Sequence, residues 1–297
     1  MVRQNKWVKY VIGLSLLLGA CTNANSTQQE VKDQYARVQD YTGEGYRLMN
    51  GAENDKIAEA NRDEVEKAVK AFFMKNYETG VKIHNLVGNK DGVTVFLESK
   101  GPVHFYTYAL VPFHQGTEDR MIGDVRTQEE EVERGIREGL YRLIFEEKFK
   151  NLDSYLEKVV SEEKVVGRTV ESLQNVGGSG YMTPYYFMSS LNSDEAIKPV
   201  YELYMKDHQT SIETLIQVYE GNLFEADDLR INIMLFMKEE DVQPSEEVME
   251  RIANDIKERN DFPKGTYRVA INDNGVHKES FEGFKDNSIE QEVIKGE

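Results

Sequence analysis

One cysteine constrains this chain more than any other residue. Cys21 is the only thiol in 297 residues, and it stands at the end of an N-terminal leader. Arg3, Lys6 and Lys9 form a basic n-region and Val11 to Leu18 a short apolar h-region, and Leu18-Gly19-Ala20 supplies small residues directly before Cys21. This is the layout of a secretory signal. A cysteine immediately after Leu-Gly-Ala gives it the form of a bacterial lipoprotein signal, in which Cys21 is lipidated and becomes the mature N-terminus. A transmembrane reading fails on length: spanning needs roughly 20 apolar residues, and polar sequence starts at Thr22-Asn23.

Committing Cys21 to lipid leaves no thiol for anything else. Disulfides, cysteine-based zinc sites and cysteine nucleophiles are all excluded, so the fold must rest on its hydrophobic core. Removing the leader takes three Lys/Arg and no Asp/Glu, which shifts the formal net charge from −17 to −20. A body that acidic is repelled by anionic headgroups, wall polymers and nucleic acid. The expected membrane contact is therefore the lipid on Cys21, with no nucleic-acid partner. The only tryptophan, Trp7, leaves with the leader.

Residues 1–20 read as the signal peptide and 21–40 as a flexible tether, polar from Thr22 to about Ala36, with a reach of roughly 20 Å. Residues 41–275 read as a globular body with a possible subdivision near 165, between Lys164 and Arg168, and 276–297 as a polar tail. Val65, Val69, Phe72, Phe73 and Tyr77 fall at helical spacing, with Gly80 as the stop. Val81–Val87 and Val93–Glu98 flank a Gly88–Gly92 turn, and His104–Val111 adds a third strand. Thr127 with Glu130, and Thr210 with Glu213, have the form of capping boxes; Gly221 is the expected end of the second helix. Leu229, Ile231, Ile233, Leu235 and Met237 alternate strictly, as in a strand with one buried face. A helix through Val248, Ile252 and Ile256 and a strand through Tyr267, Val269 and Ile271 follow. The expected class is α+β: an antiparallel sheet, with at least one helix-then-meander unit, packed against several helices.

Candidate sites are few. Ser161 and Lys164 have the Ser-x-x-Lys spacing of a serine nucleophile with an amine base, but no Ser-Asp-Asn or Lys-Thr-Gly partner accompanies them. Asn89, Asp91, Gly92 and Glu98 fit four positions of a calcium loop; position 1 is Val87, and the hairpin reading is stronger. The five histidines lack metal-ligand spacing, so no metal and no cofactor is expected. Gly135 and Gly139 form Gly-x-x-x-Gly, which in a soluble domain signals close packing of a helix. The best place for a ligand is the glycine run Gly177, Gly178 and Gly180 with Tyr181, Tyr185 and Tyr186. There, glycines could let backbone amides cradle an anion, although a tight turn before the strand-like Pro184–Phe187 is the stronger reading of the run. The tyrosines of Phe105–Tyr108 and Tyr185–Phe187 could stack a sugar, but alternation along a strand sends some of them into the core.

Four stretches in order carry a resemblance: Tyr41–Tyr46, His104–Ala109, Gly177–Tyr181 with Thr183–Phe187, and Pro263–Tyr267. Through them the chain resembles the Bacillales lipoprotein family filed as domain of unknown function 1672. The resemblance implies a lipid-anchored protein on the outer face of a Gram-positive membrane, and it transfers no catalytic or binding residue. The expected function is a non-enzymatic binding or interaction module of the cell envelope, with an unidentified envelope protein or ligand as partner. The alternatives are a hydrolase using two carboxylates about 5–10 Å apart, and a purely structural accessory lipoprotein.

Overall fold

The computed structural model describes residues 34–114, 122–283 and 287–296. The leader, Trp7 and the lipidation candidate Cys21 lie outside the described residues. The described residues from Tyr35 onward form one compact unit, undivided near 165. It is an α+β protein. Among the described residues no helix is long and apolar enough to cross a membrane.

The first half forms the predicted helix-then-meander unit. Helix α1 (Ala52–Ala60) leads into α2 (Arg62–Tyr77), whose Val65, Val69 and Phe73 form a fully buried i, i+4, i+8 stripe. Glu78, at φ 47°, closes the helix ahead of the expected Gly80. Strands β2 (Val81–Asn89), β3 (Gly92–Ser99) and β4 (Tyr106–Pro112) follow as an antiparallel meander. Only Lys90 and Asp91 remain in the hairpin loop, where Asn89 Oδ1 accepts the Asp91 N–H at 2.9 Å. Val93, Val95 and Leu97 of β3 share one core with the α2 stripe.

Two consecutive helices, α3 (Glu131–Ile144) and α4 (Glu146–Glu162), link this unit to a second sheet. The predicted Gly135 and Gly139 lie on α3, where they admit chain rather than another helix. A Cβ at Gly135 would come within 2.9 Å of the Phe105 ring, and one at Gly139 within 2.8 Å of the His104 carbonyl oxygen.

The second sheet centres on β7 (Leu229–Met237), whose alternation holds as read: Leu229, Ile231, Ile233 and Leu235 are all buried. Burying each such side chain contributes about 1.5–3 kcal/mol over exposing it, which fixes the face and hence the register. Two short strands share one edge of β7. Strand β6 (Tyr186–Ser190) pairs with its first half and β5 (Val165–Val166) with its end. On the other edge β8 (Gly265–Asn272) runs parallel to β7 after a crossover through helix α8 (Glu246–Glu258). The remaining helices, α5 (Val170–Val176), α6 (Lys198–Lys206) and α7 (Ile212–Gln217), flank these layers.

Both expected ends of the body move outward. The C-terminal stretch read as a tail contains β9 (Val276–His277) and β10 (Ser288–Lys295), and β10 pairs antiparallel with β8 along eight residues. Its charged composition hides a half-buried strand: Val293 is 2% exposed, while Glu290 bonds Arg268 across the ladder. Residues 35–40, read as tether, are also structured. Strand β1 (Tyr35–Ala36) pairs with β9, and Val38 and Tyr41 are buried in a satellite cluster.

Neither capping box forms. Glu130 is itself the N-cap of α3, in the left-handed region, and its carboxylate bonds the Asn192 side chain. That tertiary bond outcompetes the local cap. Helix α7 starts one residue late, capped by Ser211 accepting from Thr214 N–H, because the Thr210 hydroxyl donates to the Asp207 carbonyl. It ends at Gln217, four residues before Gly221.

Candidate functional site

Helix α3 carries two stripes. Val132, Ile136, Leu140 and Ile144 form the apolar one. Glu131, Arg134, Glu138, Tyr141 and Arg142 form a second, at the same helical spacing, and it also faces protein. Glu138 has no solvent exposure, and Glu131 is 9% exposed. What covers them is the predicted glycine run together with β6.

The run crosses α3 as a loop whose Gly177, Gly180 and Tyr181 amides are occupied. The Tyr181 N–H donates to Glu138 Oε2 at 2.9 Å, and the Ser190 N–H donates to Glu138 Oε1 at 3.1 Å. Gly180 exchanges two backbone hydrogen bonds with Tyr106, both 2.9 Å, which fastens the loop to β4. Gly180 adopts φ +92°, and a Cβ there would overlap Glu138 Oε2 at 1.9 Å. The glycine is thus required twice, for its backbone conformation and for room beside the carboxylate. Ser179 donates to Glu131 Oε1 in a short hydrogen bond, and Arg134 Nη2 donates to both Ser179 Oγ (3.0 Å) and Glu131 Oε1 (2.8 Å).

Burial dominates the electrostatics. Loss of hydration pushes the Glu138 carboxyl up to about 8, against the opposing pull of the Tyr181 and Ser190 amides and of Arg134 and Arg137. One turn further, the Arg142 Nε donates to the Tyr181 hydroxyl at 2.9 Å, and its Nη2 lies 3.3 Å from Asp153 Oδ2. The Tyr186 hydroxyl donates to Asp153 Oδ1 at 2.8 Å. Burial raises Asp153 as well, with Tyr186 and Arg142 opposing. At the end of the stripe, Tyr141 donates to Asp194 Oδ2 at 2.5 Å, while Asp194 Oδ1 accepts the N–H groups of Ala196 (2.9 Å) and Ile197 (3.2 Å).

The expected ligand residues therefore separate. Gly180, Tyr181 and Tyr186 join one internal polar network. Gly177 ends α5, donating its N–H to the Leu173 carbonyl at 3.1 Å, and Gly178 is exposed with nothing near it. Tyr185 is half-buried, its carbonyl accepting the Met234 N–H at 2.8 Å. The loop turns its Tyr181 amide onto a buried carboxyl of the same chain, Glu138. Sequence reasoning missed Glu138 because charged residues at helical spacing ordinarily mark a solvated face; the signal was two stripes on one helix.

The other motifs resolve locally. Ser161 Oγ donates to the Lys158 carbonyl, and α4 ends at Glu162, so Lys164 is not one helical turn beyond the serine. Glu98 lies at the far end of β3 from Asp91, near Lys82 (3.2 Å) and His84 (3.3 Å). A bulge between Ile83 and Asn85 carries His84 there. Burial lowers the pKa of both His84 and His104, with Glu98 opposing in each case.

Cavities open away from the glycine loop. One of about 450 Å³ lies between α4 and α8, where Tyr155 donates to Asp255 at 2.6 Å and Arg251 pairs with Glu163 at 2.5 Å. A groove of about 610 Å³ runs along α2 beside Ile122–Val125. A smaller pocket of about 150 Å³ lies between α3, the Tyr219–Phe224 segment and the Pro263–Lys264 turn.

Residues 28–296 match the model of a family described as a protein of unknown function, DUF1672. The chain is also similar to the crystal structure of a DUF1672 family protein from Staphylococcus aureus. The likeness covers 89% of this chain and 99% of that one, with a TM-score of 0.71 and 18% sequence identity. At that identity the likeness is one of fold. No curated protein matches the chain.

Proposed function

The chain belongs to the DUF1672 family, and from that membership we propose that it is a lipid-anchored surface protein of the Gram-positive envelope, acting by binding and not by turnover. The anchor is the lipid on Cys21, after cleavage following Ala20. Two acyl chains on one cysteine hold stably, where one chain binds only marginally. The segment 22–34 then separates the anchor from the body, whose first strand begins at Tyr35.

The observation that carries the binding reading is the enclosure of Glu138. A carboxyl with a pKa near neutrality is the usual mark of a general acid or base. Here that carboxyl has no solvent exposure and accepts two backbone N–H bonds. Gly180 leaves no space for even a methyl group beside it. It serves to brace the loop against α3.

The test is fractionation of a Gram-positive host expressing the full chain or Cys21→Ala, followed by intact-mass measurement and cross-linking on whole cells. The wild type is expected in the membrane fraction with a diacylglycerol-sized mass increment, and with partners that Cys21→Ala does not capture. Wild-type protein recovered unlipidated from the medium would overturn the anchor. Turnover of a wall or lipid substrate, abolished by a single point change, would overturn the binding reading in favour of a carboxylate hydrolase.

A further inference from the structure

The small pocket beside α3 is built differently from the rest of the surface. Four rings line it: Tyr141, Phe145, Tyr219 and Phe224. They hold one another in place. Phe145 meets Tyr219 edge-on at 5.1 Å between ring centres, and Tyr141 contacts Tyr219 at 6.1 Å and Phe224 at 6.2 Å. The phenol oxygens are already engaged, since Tyr219 bonds Tyr141 and Tyr141 donates to Asp194. The rings therefore offer faces and edges, and an apolar cavity of about 150 Å³ takes a benzene-sized guest.

Two lysines, Lys148 and Lys264, join Gly221, Leu229 and Pro263 in the rest of the lining, and no carboxylate takes part in it. Lys148 Nζ donates to the Asn260 carbonyl at 3.2 Å, and the nearby Asp261 is held by Arg259 through bonds of 3.0 and 2.7 Å. Lys264 is exposed, and among the described residues it has no ion-pair partner. In a chain of net charge −17, two ammonium groups face only one nearby carboxylate, Asp261, which Lys148 shares with Arg259, so the mouth of the aromatic slot carries a local excess of positive charge. An aromatic cage alone would favour a quaternary ammonium; the lysines repel one.

We infer that this pocket binds one small anion with a ring-sized apolar body, of the aromatic carboxylate class, the ring entering among Tyr141, Phe145, Tyr219 and Phe224 and the carboxylate meeting Lys264 and Lys148. The inference rests on the binding-module reading and gives it a small-molecule site.

The probe is sodium benzoate, followed on the purified full chain by saturation-transfer NMR and by titration, with benzyl alcohol and phenyltrimethylammonium as matched neutral and cationic rings. Benzoate is expected to bind most tightly. Lys264→Glu is expected to weaken benzoate by about tenfold or more through loss of a charge-assisted bond, with circular dichroism unchanged because the side chain is exposed. Absence of benzoate transfer on folded protein, equal binding of benzyl alcohol, tighter binding of the cation, or an unaffected Lys264→Glu variant would each overturn the site. None of those results bears on membrane fractionation or turnover, so failure of the pocket and failure of the broader reading are read separately.

Discussion

Glu138 and Tyr181 lie 43 residues apart, and the carboxylate of one accepts the backbone N–H of the other at 2.9 Å. With Ser190 on the second oxygen, the bond ties α3, the glycine loop and β6 to one side chain. A glycine-rich loop with free amides is an anion receptor; this one has folded onto a buried carboxyl of its own chain.

The carboxyl of Glu138 is raised to about 8 from the ordinary value of 4.5. Below the ordinary value the folded and unfolded chains both hold the proton, and its contribution is fully present. As pH rises from there through about 8, the unfolded chain releases the proton first, and stability falls by up to about 1.4 kcal/mol per pH unit. Glu138→Gln is uncharged throughout and should flatten this slope, at a fixed cost of about 1–3 kcal/mol for a mismatched amide. Urea midpoints between pH 5 and 9 check it; a slope that survives in the Gln variant would assign it to another group.

Two neighbouring glycines should respond oppositely to alanine. Gly180→Ala meets a positive φ and the Glu138 oxygen, and should cost about 3 kcal/mol or more. Gly178→Ala meets nothing within 4 Å and should stay within about 0.5 kcal/mol of wild type. Thermal unfolding by circular dichroism separates them, and equal losses would contradict the packing of the loop on Glu138.

Strand β10 should behave as part of the fold. Val293 is 2% exposed and Ile294 67% exposed, so Val293→Ala should destabilise by about 1–2 kcal/mol and Ile294→Ala by less than about 0.5 kcal/mol. Truncation after Asn287 uncovers the edge of β8 and should yield aggregating protein. A soluble truncated chain with unchanged melting would return this segment to the status of a tail.

Among the described residues Arg168 is a charge without a counterpart. Its Nε and Nη2 are buried with no hydrogen-bond partner, its guanidinium lies 5.8 Å from the Phe281 ring centre, and burial lowers it to about 10. An apolar side chain of similar length avoids that desolvation, so Arg168→Met should be neutral or stabilising by about 1 kcal/mol. Chemical denaturation reads the sign; a loss above 2 kcal/mol would reveal an electrostatic partner for Arg168 in the folded protein.

What was legible in the chain follows the strength of each local pattern. The alternation from Leu229 to Met237 and the α2 stripe ending at Phe73 bury apolar surface in one orientation only, and both elements form as read. Thr127 and Glu130 matched a local rule, but the Glu130 carboxylate found Asn192, far along the chain. Residues 288–295 concealed a strand because only Ile289, Val293 and Ile294 interrupt a polar run, and its pairing with β8 comes from the ladder more than from side chains. Gly180 and Tyr181 read as part of a ligand site, and in the fold they pack on Glu138 of the same chain. That contact, with a sealed carboxylate on α3, needs three-dimensional proximity that no spacing within Asn175–Tyr181 encodes.

The two-residue ladder of Tyr35 with His277 and Ala36 with Val276 sets an order of assembly. A chain that emerges N-terminus first presents its opening strand before the complementary strand exists. Tyr35 and Ala36 must wait, unpaired, until nearly the whole body has been delivered and β8 has been laid beside β7. The clasp closes late in the forward direction, with only β10 still to follow, and, being short, is the natural place for the fold to start opening in reverse. A proteolytic cut between Ala36 and Val38 should therefore report the earliest unfolding event, before the sheet around β7 loosens.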